Sequence, residues 1–164
     1  MKRICVIIVN YNTYELTKIC VDSILKTTKD NVSIIVVDNA STNNSYEILS
    51  NNYELNKRVL IKHSPENRGY SAGLNYGLTY ARELNADFYI FSNNDLLFKE
   101  GVIDELINTF SVFKNAGVVG GEIIDKNGKH QVSYKTLLTA KKQLMAIKPF
   151  VYLGKNKVEE LDYK

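Results

Sequence analysis

Short, wholly apolar runs alternate along this chain with stretches in which apolar residues recur every three or four positions. The runs "ICVIIV" (4–9), "VSIIVV" (32–37), "RVLIK" (58–62) and "DFYIFS" (87–92) are rich in β-branched and aromatic residues and too short for helices, so they read as buried strands. Between the first two, Leu16, Ile19, Cys20 and Ile24 predict a helix over 14–28. Tyr46, Ile48 and Leu49 predict a short second helix, capped from the polar "DNASTNNS", and a third is expected from about Tyr70 to Leu84. Ile103, Leu106, Ile107, Phe110 and Phe113 mark a fourth, and "GVVGGEII" (117–124) reads as a fifth strand. "DKNGK" is a hairpin turn signal that "HQVSYKTLL" would follow as an edge strand, while 136–164 carries no clear pattern. Strands alternating with helices are the mark of βαβ units, so the expectation is an α/β fold whose mostly parallel sheet is buried on both faces.

The polar residues that end these strands are informative, because ligands of an open parallel sheet bind outside the carboxyl ends of its strands. The first strand delivers Asn10, Tyr11 and Asn12, the second Asp38 and Asn39, the fourth Asn93, Asn94 and Asp95. Each group alone is ordinary turn chemistry, since Asp and Asn side chains readily bond nearby backbone. Their gathering at one edge of one sheet favours a ligand. "ENRGYSAGLNYGLTYA" sets Gly69, Gly73 and Gly77 at four-residue spacing; a glycine-bearing helix face packs close to a sheet or lets a nucleotide approach the backbone. Arg68 precedes that helix, and His63 and His130, with no ligand-spaced partners, read as structural or surface residues.

Composition narrows the classes. With 164 residues, 45% hydrophobic and 24% charged, the chain suits one globular domain. Its net charge of +3, with scattered lysines, gives no case for nucleic acid. Cys5 and Cys20 fall within apolar or amphipathic stretches and read as small buried hydrophobes, which fits a reducing cytosol. "MKRICVIIVNYN" is too short and polar-flanked for a signal peptide or a membrane span. "VNYNTYE" is neither a dinucleotide G-x-G-x-x-G nor a P-loop, and Asn10 stands where a phospho-acceptor receiver needs an acidic pair.

In their order, "VIIVNYN", "VVDNAST", "ENRGYSAGLNYGLTYA" and "YIFSNNDLLF" resemble the N-terminal, donor-binding half of a family 2 glycosyltransferase, with "GVVGGEIIDKNGK" suiting the strand and hairpin that follow. "VVDNAST" and the N-x-D form of the metal motif look most like rhamnosyltransferase-type members. The resemblance implies a GT-A fold, a Rossmann-like three-layer α/β/α sandwich. It implies a nucleotide-diphospho-sugar donor, UDP- or dTDP-linked, and inverting transfer, assisted by Mg²⁺ or Mn²⁺, to a polysaccharide or lipid-linked glycan acceptor. Under it, Asn10, Tyr11 and Asn12 lie against the nucleoside, Asp38 and Asn39 reach the base, and Asn67, Arg68, Gly69, Gly73 and Asn75 belong to the base and ribose pocket. Asn93, Asn94 and Asp95 take the place of the family's D-x-D motif, with Asp95 the metal ligand. Asn93 departs from that pattern, contributing an amide where an aspartate is common. The catalytic base is expected beyond Lys164, in an acceptor-binding part that a single domain over 1–164 lacks. The expected place is the cytoplasm, with peripheral association at the inner membrane face allowed. The competing expectations are a non-catalytic nucleotide-sugar-binding module that needs a partner for chemistry, and a domain whose strand-end residues are turn chemistry alone.

Overall fold

The structure is a computed structural model in which residues 2–131 are described; the expected edge strand past Gln131 and the stretch 136–164 lie outside them. The chain falls into two units, Met1–Val119 and Gly120–Lys164.

In the first unit β1 (Ile4–Asn10), β2 (Val32–Asp38), β3 (Val59–His63) and β4 (Phe88–Ser92) form one sheet in the order β3-β2-β1-β4, every pair parallel. The helices are α1 (Tyr14–Thr27), α2 (Ser45–Tyr53), α3 (Tyr70–Glu83) and α4 (Val102–Val112). Side chains alternate across the sheet, and its two faces bury separate clusters. Ile4, Val6, Ile8, Val32, Ile34 and Val36 pack with Cys20, Val21 and Ile24 of α1, Leu49 of α2 and Ile103 of α4. On the other face Cys5, Ile7, Ile35 and Val37 pack against Ala81 and neighbours from α3. The expected three layers are therefore present. Both cysteines are buried and free, and burial pushes both thiols up to about 11.

The glycines of α3 have a packing reason. A Cβ at Gly77 would sit 2.6 Å from Ile7 Cγ2 and 2.9 Å from Val37 Cγ2, and one at Gly73 would sit 3.0 Å from Val9 Cγ1. Those neighbours are β-branched, with little rotamer freedom to yield. Gly77→Ala is expected to lower stability by roughly 1–3 kcal/mol through overpacking, although alanine is the better helix former by about 1 kcal/mol. Urea unfolding checks this; a variant as stable as the parent would mean that α3 lifts off the sheet at little cost.

Arg58, expected as the first residue of the third strand, lies just before β3 and serves α1 instead. Its guanidinium donates to the carbonyls of Thr28 (3.2 Å) and Val32 (3.0 Å) and to Thr28 Oγ1 (2.5 Å). A cation there satisfies the Thr28 carbonyl that the end of α1 leaves open, and ties it to Val32 at the start of β2.

In the second unit, among the described residues, β5 (Ile123–Ile124) pairs antiparallel with β6 (His130–Gln131). Asp125 Oδ1 accepts the backbone N–H of Asn127 (2.8 Å) and Lys129 (2.9 Å), and Gly128 takes φ +79°, so the "DKNGK" turn forms as expected. The expected fifth strand over 117–124 is reduced to its last two residues. Gly117, Gly120 and Gly121 offer a strand no side chains to pack, and Val118 is 90% exposed. No helix among the described residues is long and apolar enough to cross a membrane.

Candidate functional site

The strand order turns back at β1: β2 and β3 extend to one side of it and β4 to the other. A crevice is expected at such a switch point, outside the carboxyl ends of the strands. That edge carries the polar residues the sequence singled out, and the structure divides them into braces and open groups.

The braces follow from register. Asn10, Asp38 and His63 are paired across β1, β2 and β3, so their side chains continue, as a polar row, the apolar row of Ile8, Val36 and Ile61. Asp38 is wholly buried. Its Oδ1 accepts from Asn10 Nδ2 (2.8 Å) and Ser41 Oγ (2.5 Å), and its Oδ2 from the Ser41 backbone N–H (3.1 Å), with His63 Nδ1 at 2.9 Å. A buried carboxylate is tolerable when its lone pairs are met in this way. Asn10, also wholly buried, completes its bonding by accepting Thr17 Oγ1 at 2.8 Å.

The loops above this row are stitched together. Ser41 Oγ accepts the backbone N–H of Asn12 (2.9 Å), while Asn12 Oδ1 accepts that of Thr42 (2.8 Å). Asn12 and Ala40 both adopt left-handed backbone, with φ of 57° and 55°. For alanine that conformation costs roughly 1–2 kcal/mol, which the surrounding bonds offset. Asn94 also faces inward, donating to Thr13 Oγ1 (2.8 Å) and Thr17 Oγ1 (2.9 Å), and so ties the turn after β4 to the start of α1. Asn10, Asn12, Asp38 and Asn94 therefore support the rim in this conformation rather than presenting free polar groups to it.

Other groups are open. Asn39 follows Asp38 on the opposite side of the sheet, next to α3, and is 3% exposed. Its Nδ2 donates to Asn67 Oδ1 (2.9 Å) and to the Gly69 carbonyl (3.3 Å), while its Oδ1 is buried with no hydrogen-bond partner among the described residues. Since both of those neighbours accept, the amide is held with its oxygen away from them. Asn67 Oδ1 also accepts the N–H of Gly69, which caps α3 at φ +88°, a conformation that suits glycine. Gly73 lies beneath this group, close to Asn39 and Val9.

Asp95 and Asn93 are exposed, and neither side chain has a hydrogen bond or ion pair among the described residues. Tyr70 opens α3 beside them: burial pushes its hydroxyl up, and the Asp95 carboxylate adds to the effect. Tyr11 and Asn75 are exposed, and Arg68 is exposed in an ion pair with Glu66 (2.5 Å). Among the described residues no group of three or more His, Cys, Asp or Glu side chains could hold a metal ion by itself. The oxygen donors at the end of β4 fit a hard cation that takes most of its ligands from a bound phosphate and water.

Sequence reasoning passed over Ser41, Thr13 and Thr17, and read His63 as a structural or surface residue without a partner. Asn10, Asp38 and His63 share the position at which an apolar strand turns polar, but only the register shows that they touch. A depression of about 500 Å³ lined by Asp30, Asn51, Asn52, Leu55, Asn56, Lys57 and Arg58 lies at the opposite, amino-terminal edge of β2 and β3, away from these groups.

Solved glycosyltransferases share the architecture. The mannosyltransferase PcManGT from Pyrobaculum calidifontis, solved in complex with GDP-Man and Mn²⁺, aligns with a TM-score of 0.59 at 22% identity over 67% of this chain and 32% of its own. S. aureus TarS 1-349, in complex with UDP-GlcNAc, aligns with a TM-score of 0.58 at 18% identity over 67% of this chain and 31% of its own. At these identities the likeness shows the fold, GT-A. Glycosyltransferase GlyG of Streptococcus pneumoniae serotype 4 is 33% identical over 118 residues, which are 72% of this chain and 38% of GlyG. The chain thus spans well under half the length of these relatives. The sequence pattern of Glycosyl transferase family 2 matches residues 5–157, nearly the whole chain, and the chain belongs to that family.

Proposed function

We propose that this chain forms the donor side of a metal-assisted, inverting glycosyltransferase. In this reading the donor is a UDP- or dTDP-linked sugar, rhamnose among the candidates, and the acceptor a polysaccharide or lipid-linked glycan. The observation that carries it is Asn39 Oδ1, a buried acceptor without a partner among the described residues, at the strand edge where the family places its donor. A buried acceptor left unpaired costs about 1–3 kcal/mol, and a ligand N–H removes that cost. Uracil and thymine offer such a group at N3, which cytosine lacks.

Asn67 and Gly69 hold the Asn39 amide in orientation, and Tyr11 and Asn75 flank the nucleoside. Asp95 holds the divalent cation together with the donor's phosphates, and Asn93 bonds the ribose without adding charge. When bound, the cation supplies Lewis-acid stabilisation of the departing nucleoside diphosphate. The carboxylate that takes the acceptor's proton belongs to the acceptor side and is not assigned to a described residue.

Calorimetry with UDP and Mn²⁺ tests the base contact. Asn39→Ala is expected to weaken UDP by about 0.5–1.5 kcal/mol, roughly two- to tenfold. N3-methyl-UDP should bind the parent more weakly than UDP and lose little further on the variant. Equal binding of UDP and its N3-methyl analogue by the parent would contradict the assignment.

A further inference from the structure

We propose that His63 is a positioning residue for the donor nucleotide, acting through Asp38 to set the loops at 10–13 and 39–43. The inference rests on the donor-site reading above and adds a residue from the edge strand.

Among the described residues that donate to Asp38, His63 alone comes from β3; the others belong to β1 or to the loop after β2. Its side chain is 44% exposed, and contacts position both the ring and the backbone of this residue. The Tyr46 ring of α2 lies 5.0 Å away at 51°, and Tyr76 of α3 donates its hydroxyl to the His63 carbonyl at 3.1 Å. From Nδ1 the contacts run in one line, through the Asp38 carboxylate and Ser41 Oγ to the backbone N–H of Asn12. At its far end the line holds the left-handed Asn12 and, between Asn39 and Ser41, the left-handed Ala40.

Such backbone persists only where its surroundings over-determine it. Without His63, Asp38 Oδ2 keeps the Ser41 N–H alone, and a buried carboxylate short of a donor turns or draws in water. A turn of the carboxylate loosens its bonds to Ser41 and displaces Asn39, the next residue along. Because the carboxylate only accepts, the contact requires a proton on Nδ1.

The test compares the parent, His63→Ala and His63→Asn; the asparagine amide replaces the Nδ1–H donor without the ring. Amide hydrogen exchange reads the loops directly. His63→Ala should speed exchange at Asn12 and Ser41 by about tenfold while α4 amides are unchanged, and His63→Asn should restore most of the protection. UDP affinity with Mn²⁺ should follow the same order, about tenfold weaker for His63→Ala. Parent-like exchange and affinity in His63→Ala, or no restoration by asparagine, would overturn the proposal. If His63→Ala does not fold, ¹⁵N spectra of the parent imidazole decide: the Nδ1–H tautomer supports it and the Nε2–H tautomer overturns it. A parent that binds no nucleotide while exchange responds as expected would instead count against the donor-site reading.

Discussion

Replacing Asp38 with alanine is expected to remove about 3–5 kcal/mol of stability, the range for stripping one partner from a buried charged network. The loss is that large because the carboxylate has no solvent to give up and several groups to satisfy. Asn10 Nδ2, the Ser41 hydroxyl and backbone N–H, and His63 Nδ1 would all lose this acceptor, and at the centre of the network Asp38 and Asn10 are wholly buried. Against a total of roughly 5–15 kcal/mol, that is a melting point lower by about 10 °C or more. Asp38→Asn should recover little. Whichever way the amide turns, its NH₂ meets donors: the Ser41 N–H at one oxygen position, Asn10 Nδ2 at the other. Thermal and urea unfolding of both variants measure this. An alanine variant within about 0.5 kcal/mol of the parent, the range of ordinary surface changes, would show that the network is not holding the strand ends.

That role for Asp38 marks where the sequence stops being legible. The apolar runs and their helical intervals located the strands and helices of the first unit to within a residue or so, because a two-sided buried sheet leaves little ambiguity in such runs. The switch-point edge was readable for the same reason: every strand there turns polar at its last residue. What could not be read was which polar side chains face one another. Asn39 and Asp38 are adjacent in sequence yet lie on opposite sides of the sheet. One is an open acceptor and the other a closed brace, and only the parallel register with Asn10 and His63 separates them. The glycines of α3 allowed packing and ligand approach together, and the distances to Ile7, Val9 and Val37 supply the packing reason at Gly73 and Gly77. The run over 117–124 misled because its apolar residues look like a strand while its glycines remove the side chains one would need.

Asp95→Ala should have the opposite profile to Asp38→Ala, with a large effect on ligand and almost none on the fold. The side chain is exposed and makes no hydrogen bond or ion pair among the described residues, so stability should stay within about 0.5 kcal/mol of the parent. Donor binding should lose its metal-dependent part, because the turn after β4 offers no second carboxylate: Asn93 and Asn94 are amides, and Asn94 is turned toward Thr13 and Thr17. A hard cation held by one carboxylate and the ligand's phosphates depends on both. The proposal that this chain is the donor side of a metal-assisted glycosyltransferase is therefore tested most directly by UDP titration calorimetry on the parent and Asp95→Ala, each with Mn²⁺ and with EDTA. The parent should bind UDP at least about tenfold more tightly with Mn²⁺, a difference of about 1.4 kcal/mol that the variant lacks. Equal affinity in Mn²⁺ and EDTA for the parent, or an undiminished Mn²⁺ increment in Asp95→Ala, would contradict it.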